Sequence, residues 1–223
     1  MTSLVSAIVV AGGKSRRLGI DKRQIKLTSG QSLLAECVTH LTRLSDDVIV
    51  VIGRGEAAPS IAPARIGWDT VADAGPLAGL AAGLAMAVHE YAVVVAADMP
   101  FLDSRLLNWL IAQPRGYDLL IPRHRDGRCE PLLAIYRRTC LPAIESRLRS
   151  GHLKLLDLEH HVHTCYADGV DAIAGPDAFF NLNTQEDLEQ IRDHLHDTGS
   201  LLKPVPPETG TTCATSFDGS GGY

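Results

Sequence analysis

Residues 4–22 read LVSAIVVAGGKSRRLGIDK, and the two halves of this stretch differ in character. The segment Leu4 to Val10 is an apolar run rich in β-branched residues, which is typical of a strand buried on both faces of a sheet. A loop with two adjacent glycines and several cations follows it. In open α/β sheets, ligands bind beyond the carboxyl ends of the strands, and the loop after the first strand often cradles phosphate. This stretch therefore predicts an α/β fold and the position of its ligand site.

Apolar runs and amphipathic segments alternate along most of the chain. Further strands are predicted at Val48 to Ile52, Ala92 to Ala97, Leu119 to Ile121 and Leu132 to Tyr136. Helices are predicted in the segments Leu33 to Leu44, Leu77 to Val88, Leu106 to Ile111 and Ile144 to Leu148. Strands separated by helices favour right-handed crossovers and a mostly parallel sheet. We therefore expect a single three-layer α/β/α domain with a mostly parallel, Rossmann-like sheet over residues 1–198.

The C-terminal part of the chain contains the last predicted helix and a change of composition. Asn183 is predicted as the N-cap of this helix, with Glu186 three residues later as its capping-box partner. Residues 199–223 contain three prolines, a Gly/Ser/Thr-rich end and few residues that could form a core. This composition predicts a disordered tail.

Composition and charge exclude several classes of protein. The 223-residue chain has a formal net charge of −5, which disfavours binding to nucleic acid through bulk positive charge. No apolar run approaches the roughly 18 residues that a membrane-spanning helix needs. The five cysteines never form a C-x-x-C pair, so neither a disulfide framework nor a zinc knuckle is indicated. No basic segment precedes the first strand, so a secretory signal is not indicated. From these features together we expect a soluble, cytoplasmic protein with no nucleic-acid or membrane partner.

The loop after the first predicted strand favours phosphate binding. Its cations are Lys14, Arg16, Arg17 and Lys22, in a chain that is acidic overall. The backbone N–H groups of Gly12 and Gly13 can face an anion. The P-loop pattern fails because Ile8 stands where its first glycine should be, and the dinucleotide pattern G-x-G-x-x-G is not completed. The alternative is a strand-to-helix turn that carries solvated basic residues.

This loop resembles the signature of nucleotidyltransferases with the nucleotide-diphosphosugar transferase fold, and it matches the molybdenum cofactor guanylyltransferase family best. Four further segments resemble motifs of that family in the same order along the chain. They are DAGPLAG at 73–79, ADMPFL at 97–102, EPLLAIY at 130–136 and FFNLNT at 179–184. The resemblance covers residues 5–195, which is almost the whole predicted domain.

The resemblance implies an enzyme that transfers GMP from GTP to the terminal phosphate of molybdenum-bound molybdopterin and releases pyrophosphate, with Mg²⁺ as cofactor. The implied partners are GTP, a molybdopterin-type acceptor, molybdenum-insertion proteins and molybdoenzyme apo-proteins. Two alternatives stay open: a cytidylyltransferase for this or another phosphorylated acceptor, and a non-catalytic nucleotide- or pterin-binding protein. Members that use CTP tend to carry A-A-G after the first strand, so Gly12 favours guanine. Asp98 and Lys22 favour an enzyme over a carrier.

The resemblance also implies roles for individual residues. The implied nucleotide-binding residues are Val10, Ala11, Gly12, Gly13, Lys22, Asp69, Gly79 and Asp98. The implied catalytic residues are Lys22, Asp98 and Arg17, with Arg16 in support. Asp98 follows a buried apolar run, and its hard carboxylate oxygens suit Mg²⁺, so it is the expected metal ligand. The alternatives are helix capping for Asp98, a simple turn for Asp69 and helix packing for Gly79.

The acceptor end of the site is expected at Asn181 and Asn183, because amides can read the donor–acceptor edge of a pterin without adding charge. Helix capping is the alternative role of Asn183. The chain departs from the family pattern in three places, of which Ala97, where the family usually has a cysteine before Asp98, matters least. Gly53 and Arg54 stand in a region where the family often carries an asparagine at the nucleotide. Glu130 replaces a glutamine or histidine near the expected pterin end, where its carboxylate would repel an anionic acceptor.

Overall fold

The computed structural model describes residues 4–12, 25 and 30–198. Within them, one sheet contains the strands β1 (Ser6–Val10), β2 (Val48–Ile52), β3 (Arg65–Trp68), β4 (Tyr91–Ala96), β5 (Leu119–Arg123), β6 (Leu133–Arg137) and β7 (Thr164–Asp168). Their order across the sheet is β3-β2-β1-β4-β6-β5-β7. Neighbouring strands run parallel except at β6, which is antiparallel to both β4 and β5. The predicted mostly parallel sheet is confirmed.

Helices cover both faces of this sheet. They are α1 (Leu33–Leu41), α2 (Pro76–Met86), α3 (Ser104–Ala112), α4 (Leu141–Arg149), α5 (Val170–Ile173) and α6 (Gln185–Thr198). Helices α1, α3 and α5 pack on one face, against alternate strand residues that include Val9 and Val95. Helices α2 and α4 pack on the other face, against residues that include Ile8 and Val94. The three-layer α/β/α arrangement is therefore confirmed.

The inner strands and the edge strands differ in burial. All residues of β1, β2 and β4 are buried, because helices cover both faces of the inner sheet. The edge strands β3 and β7 are partly exposed and less apolar, and they are not among the strands predicted from the sequence. An apolar run therefore identifies only strands that are covered on both sides.

Helix α2 lies unusually close to β1. A Cβ atom built on Gly79 would lie 2.9 Å from Val10 Cγ1, and one built on Gly83 would lie 2.5 Å from Ile8 Cγ2. Real Cβ atoms do not approach other carbon atoms so closely, so both positions need glycine for the helix to sit against the strand. The predicted close approach of this helix to a neighbour is confirmed.

Helix α6 begins one residue later than the capping pattern predicts. Thr184 is its N-cap: its Oγ1 accepts a hydrogen bond from Asp187 N at 3.2 Å. Asp187 Oδ2 in turn accepts from Thr184 N at 2.8 Å and from Asn183 N at 2.6 Å. Thr184 and Asp187 thus form the capping box, and the prediction of Asn183 as N-cap with Glu186 as partner is wrong.

The starts of four strands meet at the amino edge of the sheet, around Asp47. This side chain is only 6% exposed. Its carboxylate accepts hydrogen bonds from Ser6 Oγ at 2.5 Å, Arg65 Nε at 3.1 Å and Val88 N at 3.0 Å. Burial alone would raise the pKa of Asp47, but these hydrogen bonds outweigh it and hold the pKa below its ordinary value. Asp47 therefore joins β1, β2 and β3 to the segment that leads into β4.

No helix in the described part of the chain is long and apolar enough to cross a membrane. Residues 199–223 lie outside the described residues, so the predicted tail and the domain boundary at residue 198 stay predictions.

Candidate active site

The strand order reverses at β1, which has β2 on one side and β4 on the other. In open α/β sheets, the crevice at the carboxyl ends of the strands beside such a reversal is where ligands bind. Gly12 lies just beyond β1, and Asp98 lies just beyond β4. The two strands stay paired up to this point, since Ala97 N donates to the carbonyl oxygen of Val10 at 3.1 Å. The sheet thus brings two predicted site residues from distant motifs to one crevice.

The ends of β1, β2 and β3 converge on one side of this crevice. A Cβ atom built on Gly12 would lie 3.5 Å from Asp69 Oδ2 and 3.3 Å from Gly53 N. Asp69 Oδ1 accepts a hydrogen bond from Arg54 N at 2.9 Å. We call the group Gly12, Gly53, Arg54 and Asp69 the donor half of the site. The structure therefore brings the predicted residues Gly12 and Asp69 together.

The exposed backbone of the donor half begins at Gly12. The N–H of Ala11 donates to Val51 O at 2.7 Å, and the carbonyl oxygen of Val10 accepts from Ala97. Both residues are buried, and these backbone groups belong to the sheet. Val10 and Ala11 therefore form the floor of the crevice, and their predicted contacts with the nucleotide stay predictions. Gly13, Arg17 and Lys22, with Arg16, lie outside the described residues, and their roles stay predictions.

Gly79 is buried within α2, with its α-carbon facing Val10. This position favours the packing role over the expected contact with the nucleotide. The exposed part of the same motif lies earlier, in the turn between β3 and α2, where Asp73 and Gly75 both have positive φ angles of 55° and 65°.

Arg54 is a residue of the donor half that the sequence argument did not assign to binding. Its backbone N–H donates to Asp69, and its side chain is exposed at this edge of the sheet. Its position directly after the predicted strand Val48 to Ile52 was the available signal, because that position lies at the ligand edge.

Asp98 does not cap a helix. Helix α3 begins at Ser104, and its N-cap is Asp103, whose carboxylate accepts a hydrogen bond from Arg105 N at 2.8 Å. The alternative role of Asp98 as the cap of this helix is therefore wrong. The backbone of Asp98 is fixed separately, because its carbonyl oxygen accepts from Leu182 N at 2.9 Å.

The segment that contains Asn181 and Asn183 crosses the chain beside Asp98. Leu182, between the two asparagines, is buried and makes the backbone hydrogen bond to Asp98. Asn181 Nδ2 donates to Phe179 O at 3.2 Å, and Asn183 Nδ2 donates to Asn181 O at 3.3 Å. Asn181 is partly exposed and Asn183 is exposed. The structure thus brings both predicted acceptor residues close to the predicted metal ligand.

A second cluster lies at the carboxyl ends of β5 and β7. Buried His124 shares one hydrogen bond with Glu130, between Nε2 and Oε1 at 3.1 Å, and another with Asp171, between Nδ1 and Oδ1 at 2.6 Å. The His124 ring also packs edge-on against Phe179, with the ring centroids 4.4 Å apart. The hydrogen bonds from His124 and from the backbone of Arg125 hold the pKa of Asp171 below its ordinary value.

Glu130 lies at the same edge of the sheet as Asp98. Strands β4 and β6 pair Val95 with Leu133, and the pairing continues with a hydrogen bond from Ala96 N to Leu132 O at 3.0 Å. Because the two strands are antiparallel, the segment after β4, which contains Asp98, and the segment before β6, which contains Glu130, lie at the same edge of the sheet. We call the group His124, Glu130, Asp171, Asn181 and Asn183 the acceptor half of the site.

His124 and Asp171 were not predicted as site residues. His124 follows the strand predicted at Leu119 to Ile121, so its place near a strand end was a usable signal. No comparable signal pointed to Asp171, because the strand before it, β7, was not predicted. Among the described residues, no group of three or more His, Cys, Asp or Glu side chains is arranged to hold a metal ion.

The family model of the MobA-like NTP transferase domain matches residues 7–164, which include Gly12, Asp69, Asp98 and Glu130. The chain belongs to this family of nucleotidyltransferases. It is 33% identical to a probable molybdenum cofactor guanylyltransferase of Pelotomaculum thermopropionicum, over 84% of this chain and 91% of the relative. It is 31% identical to the molybdenum cofactor guanylyltransferase of Desulfosudis oleivorans, over 83% of this chain and 93% of the relative.

Solved structures of other proteins have the same fold. Molybdopterin-guanine dinucleotide biosynthesis protein A from Archaeoglobus fulgidus superimposes with a TM-score of 0.73 at 26% identity, over 87% of this chain and all of that chain. The 2-C-methyl-D-erythritol 4-phosphate cytidylyltransferase of Thermus thermophilus has a TM-score of 0.64 at 16% identity, over 86% of this chain and 99% of that chain. The second likeness shows the fold alone. The predicted nucleotide-diphosphosugar transferase type of fold and the predicted family are confirmed.

Proposed function

We propose that this protein transfers GMP from GTP to the terminal phosphate of molybdenum-bound molybdopterin and releases pyrophosphate. The observation that carries the proposal is the position of Asp98 in the switch-point crevice, between the donor half and the acceptor half. Membership of the MobA-like NTP transferase family supports it, as do the relatives named molybdenum cofactor guanylyltransferase.

The proposed reaction is a displacement at the α-phosphorus of GTP. An oxygen of the acceptor's terminal phosphate forms the new bond to this phosphorus, and the bond to the β,γ-pyrophosphate breaks. The acceptor phosphate is already a nucleophile, so the protein needs no side chain to activate it. The main contribution of the fold is alignment, because the crevice holds donor and acceptor on opposite sides of one carboxylate.

The donor set at the crevice suits Mg²⁺. This ion prefers hard oxygen ligands, keeps several waters, and is usually bound through one or two carboxylates together with substrate phosphates. Asp98 would hold it, since its carboxylate follows β4 and is not used as a helix cap. Bound there, the ion would neutralise charge on the phosphates.

The donor half supplies the proposed GTP contacts. The exposed backbone of Gly12 lies where phosphates can approach, and the cations of Arg54, Lys22 and Arg17 are proposed to add to it. Asp69 Oδ2 accepts no hydrogen bond from the described residues, so it can accept one from a ribose hydroxyl or a base N–H group. Proposed partners besides the substrates are molybdenum-insertion proteins and molybdoenzyme apo-proteins, and the proposed location is the cytoplasm.

The test is the transfer of label from GTP that is radiolabelled at the α-phosphate, with Mg²⁺ and molybdenum-loaded molybdopterin. The proposal predicts labelled product and one pyrophosphate per transfer, with GTP strongly preferred over CTP, ATP and UTP. Preference for CTP would make the protein a cytidylyltransferase. Nucleotide binding without pyrophosphate release would make it a carrier, and either result would contradict the proposal.

A further inference from the structure

The acceptor half contains a negative charge where an anionic acceptor would have to bind. Glu130 lies at the same edge of the sheet as Asp98, and its side chain is 20% exposed. Two carboxylates beside a phosphorylated acceptor would repel it unless the surroundings compensate for their charge. Glu130 is therefore expected to make contacts with the acceptor that outweigh this repulsion.

His124 is the hydrogen-bond partner of Glu130. Its two ring nitrogens lie 2.6 Å from an Asp171 oxygen and 3.1 Å from a Glu130 oxygen. An ionised carboxylate only accepts hydrogen bonds, so the His124 ring nitrogen that faces Glu130 can serve it as a donor.

The same arrangement fixes the orientation of Glu130. Oε1 is bound to His124, and His124 is itself held by Asp171 and by the ring of Phe179, so the carboxylate has little freedom to turn. Glu130 N also donates to Pro122 O at 3.1 Å, which fixes the backbone at this position. Oε2 accepts no hydrogen bond from the part of the chain that the structure describes. A fixed carboxylate oxygen of this kind can only accept, so it selects ligands that present N–H or O–H groups.

We propose that Glu130 determines the specificity of the acceptor half by accepting hydrogen bonds from the amino group and the ring N–H of a 2-amino-4-oxo-pteridine, with His124 as its positioning residue. This inference rests on the proposed function, which supplies a pterin as part of the acceptor. Hydrogen bonds to an ionised acceptor are about twice as strong as neutral ones, so the carboxylate favours a ring with two adjacent donors.

The experiment compares two fluorescent pteridines that differ in this edge. The probes are 6-hydroxymethylpterin and 6-hydroxymethyl-lumazine, whose 2-oxo group replaces the 2-amino donor. Both are titrated into the full-length protein with Mg²⁺–GTP present. The variants are Glu130→Gln, which removes the charge and keeps the shape, and the control Glu145→Gln on α4, an exposed carboxylate whose partner is Arg149.

Wild type and Glu145→Gln are expected to bind the pterin about 10-fold more tightly than the lumazine. Glu130→Gln should lose most of this preference through weaker pterin binding, because its amide can accept only one of the two N–H groups. Wild type and both variants should bind GTP with the same affinity. In the full reaction, Glu130→Gln should raise KM for molybdopterin and leave kcat within a few fold.

His124 is tested as a positioning residue through the same ligand preference. His124→Ala should reduce the pterin preference as Glu130→Gln does, and His124→Gln, which can still donate to Glu130, should restore part of it. A uniform loss of affinity for both pteridines in the two His124 variants would indicate a structural role and contradict positioning.

Three results would overturn the inference. One is an unchanged pterin preference in Glu130→Gln, and another is a wild type that binds neither pteridine. The third is a loss of GTP affinity in Glu130→Gln, because guanine presents the same pair of N–H donors and would then be what Glu130 reads. Failure of the proposed function would give a different result, because the wild type would still prefer the pterin but would transfer no GMP from GTP.

Discussion

The two edges of the sheet use carboxylates in opposite ways. At the amino edge, Asp47 is almost fully buried, and Ser6, Arg65 and Val88 all donate hydrogen bonds to it. At the carboxyl edge, Asp69 accepts from the backbone of Arg54, and its second oxygen faces the position of Gly12. Within the described residues, the carboxylate at the amino edge has its hydrogen bonds supplied by the chain, and Asp69 at the carboxyl edge keeps an oxygen that accepts none.

This difference separates a structural role from a binding role for one residue type. A carboxylate whose hydrogen bonds all come from its own chain stabilises the fold, and removing it leaves buried donors unpaired. A carboxylate with an oxygen that accepts no bond from the chain can accept one from a ligand. Substitutions at the amino edge should therefore change stability, and substitutions at the carboxyl edge should change binding or turnover.

The largest effect is expected for Asp47→Ala. This change leaves the Ser6 hydroxyl, the Val88 N–H and the Arg65 guanidinium without their shared acceptor, so the free energy of unfolding should fall by about 3 kcal/mol. Urea unfolding measures it, and GTP affinity of the folded protein should be unchanged. Asp46→Ala is the control, because Asp46 is 67% exposed and its single ion pair with His89 should contribute less than about 1 kcal/mol.

The stabilisation from Asp47 should also depend on pH. Because its pKa in the folded protein is lowered from an ordinary value of 3.8, its contribution is fully present above that value. It is lost as the pH falls through the lower, folded-state pKa. The stability difference between wild type and Asp47→Ala should therefore be constant near neutral pH and shrink below about pH 4. A difference that grows on acidification would contradict this account.

A smaller loss of stability is expected for Gly79→Ala. The new methyl group would lie 2.9 Å from Val10 Cγ1, so α2 must move away from β1 at a cost of about 2 kcal/mol. Thermal or urea unfolding measures this loss, and Ala85→Ser on the exposed side of the same helix is the control. If the variant were as stable as wild type but bound GTP much more weakly, the result would instead indicate that Gly79 contacts the nucleotide.

Thr184→Ala and Asn183→Ala form a matched pair at the start of α6. Loss of the Thr184 cap should lower the free energy of unfolding by about 1 kcal/mol and should have little effect on KM for the acceptor. Asn183→Ala should leave stability almost unchanged and raise KM for the acceptor, if its amide contacts the pterin. The opposite pattern, with the larger stability loss at Asn183, would contradict the assigned cap.

The smallest effect is expected from deletion of residues 199–223. Their composition offers little apolar surface to offset the entropy of ordering them, so melting temperature and turnover should both stay close to wild type. A clear drop in melting temperature would show that this segment packs on the domain.

The sequence predicted the strands that helices cover on both faces, and it predicted features that depend on a short local motif. The inner strands Val48 to Ile52 and Ala92 to Ala97 are apolar throughout because helices cover both of their faces, so their existence was predictable. Position relative to these strands placed Asp98 at the ligand edge. Edge strands such as β3 lack this signature and were not predicted. The capping residue of α6 was missed by one position, because Thr184 satisfies the same pattern as Asn183.

The partners of Glu130 could not be predicted in the same way. His124 meets Glu130 through a tight β5–β6 connection, and Asp171 reaches His124 from a helix beyond an unpredicted strand. These contacts depend on the order β6-β5-β7, which no local pattern encodes. The sequence therefore indicated a repulsive Glu130, and its hydrogen bond to His124 became visible only in three dimensions.

The most direct test of the central claim is the rate of pyrophosphate release by Asp98→Asn with Mg²⁺, GTP and molybdenum-loaded molybdopterin, measured together with its unfolding free energy. The amide is nearly isosteric, and the hydrogen bond to Leu182 comes from the Asp98 backbone, so the unfolding free energy should stay within about 1 kcal/mol of wild type. Turnover should fall about 100-fold or more, as expected when a preorganised charged group is lost from a reaction site. Normal turnover in this variant would contradict the claim that the carboxyl edge around Asp98 is the active site.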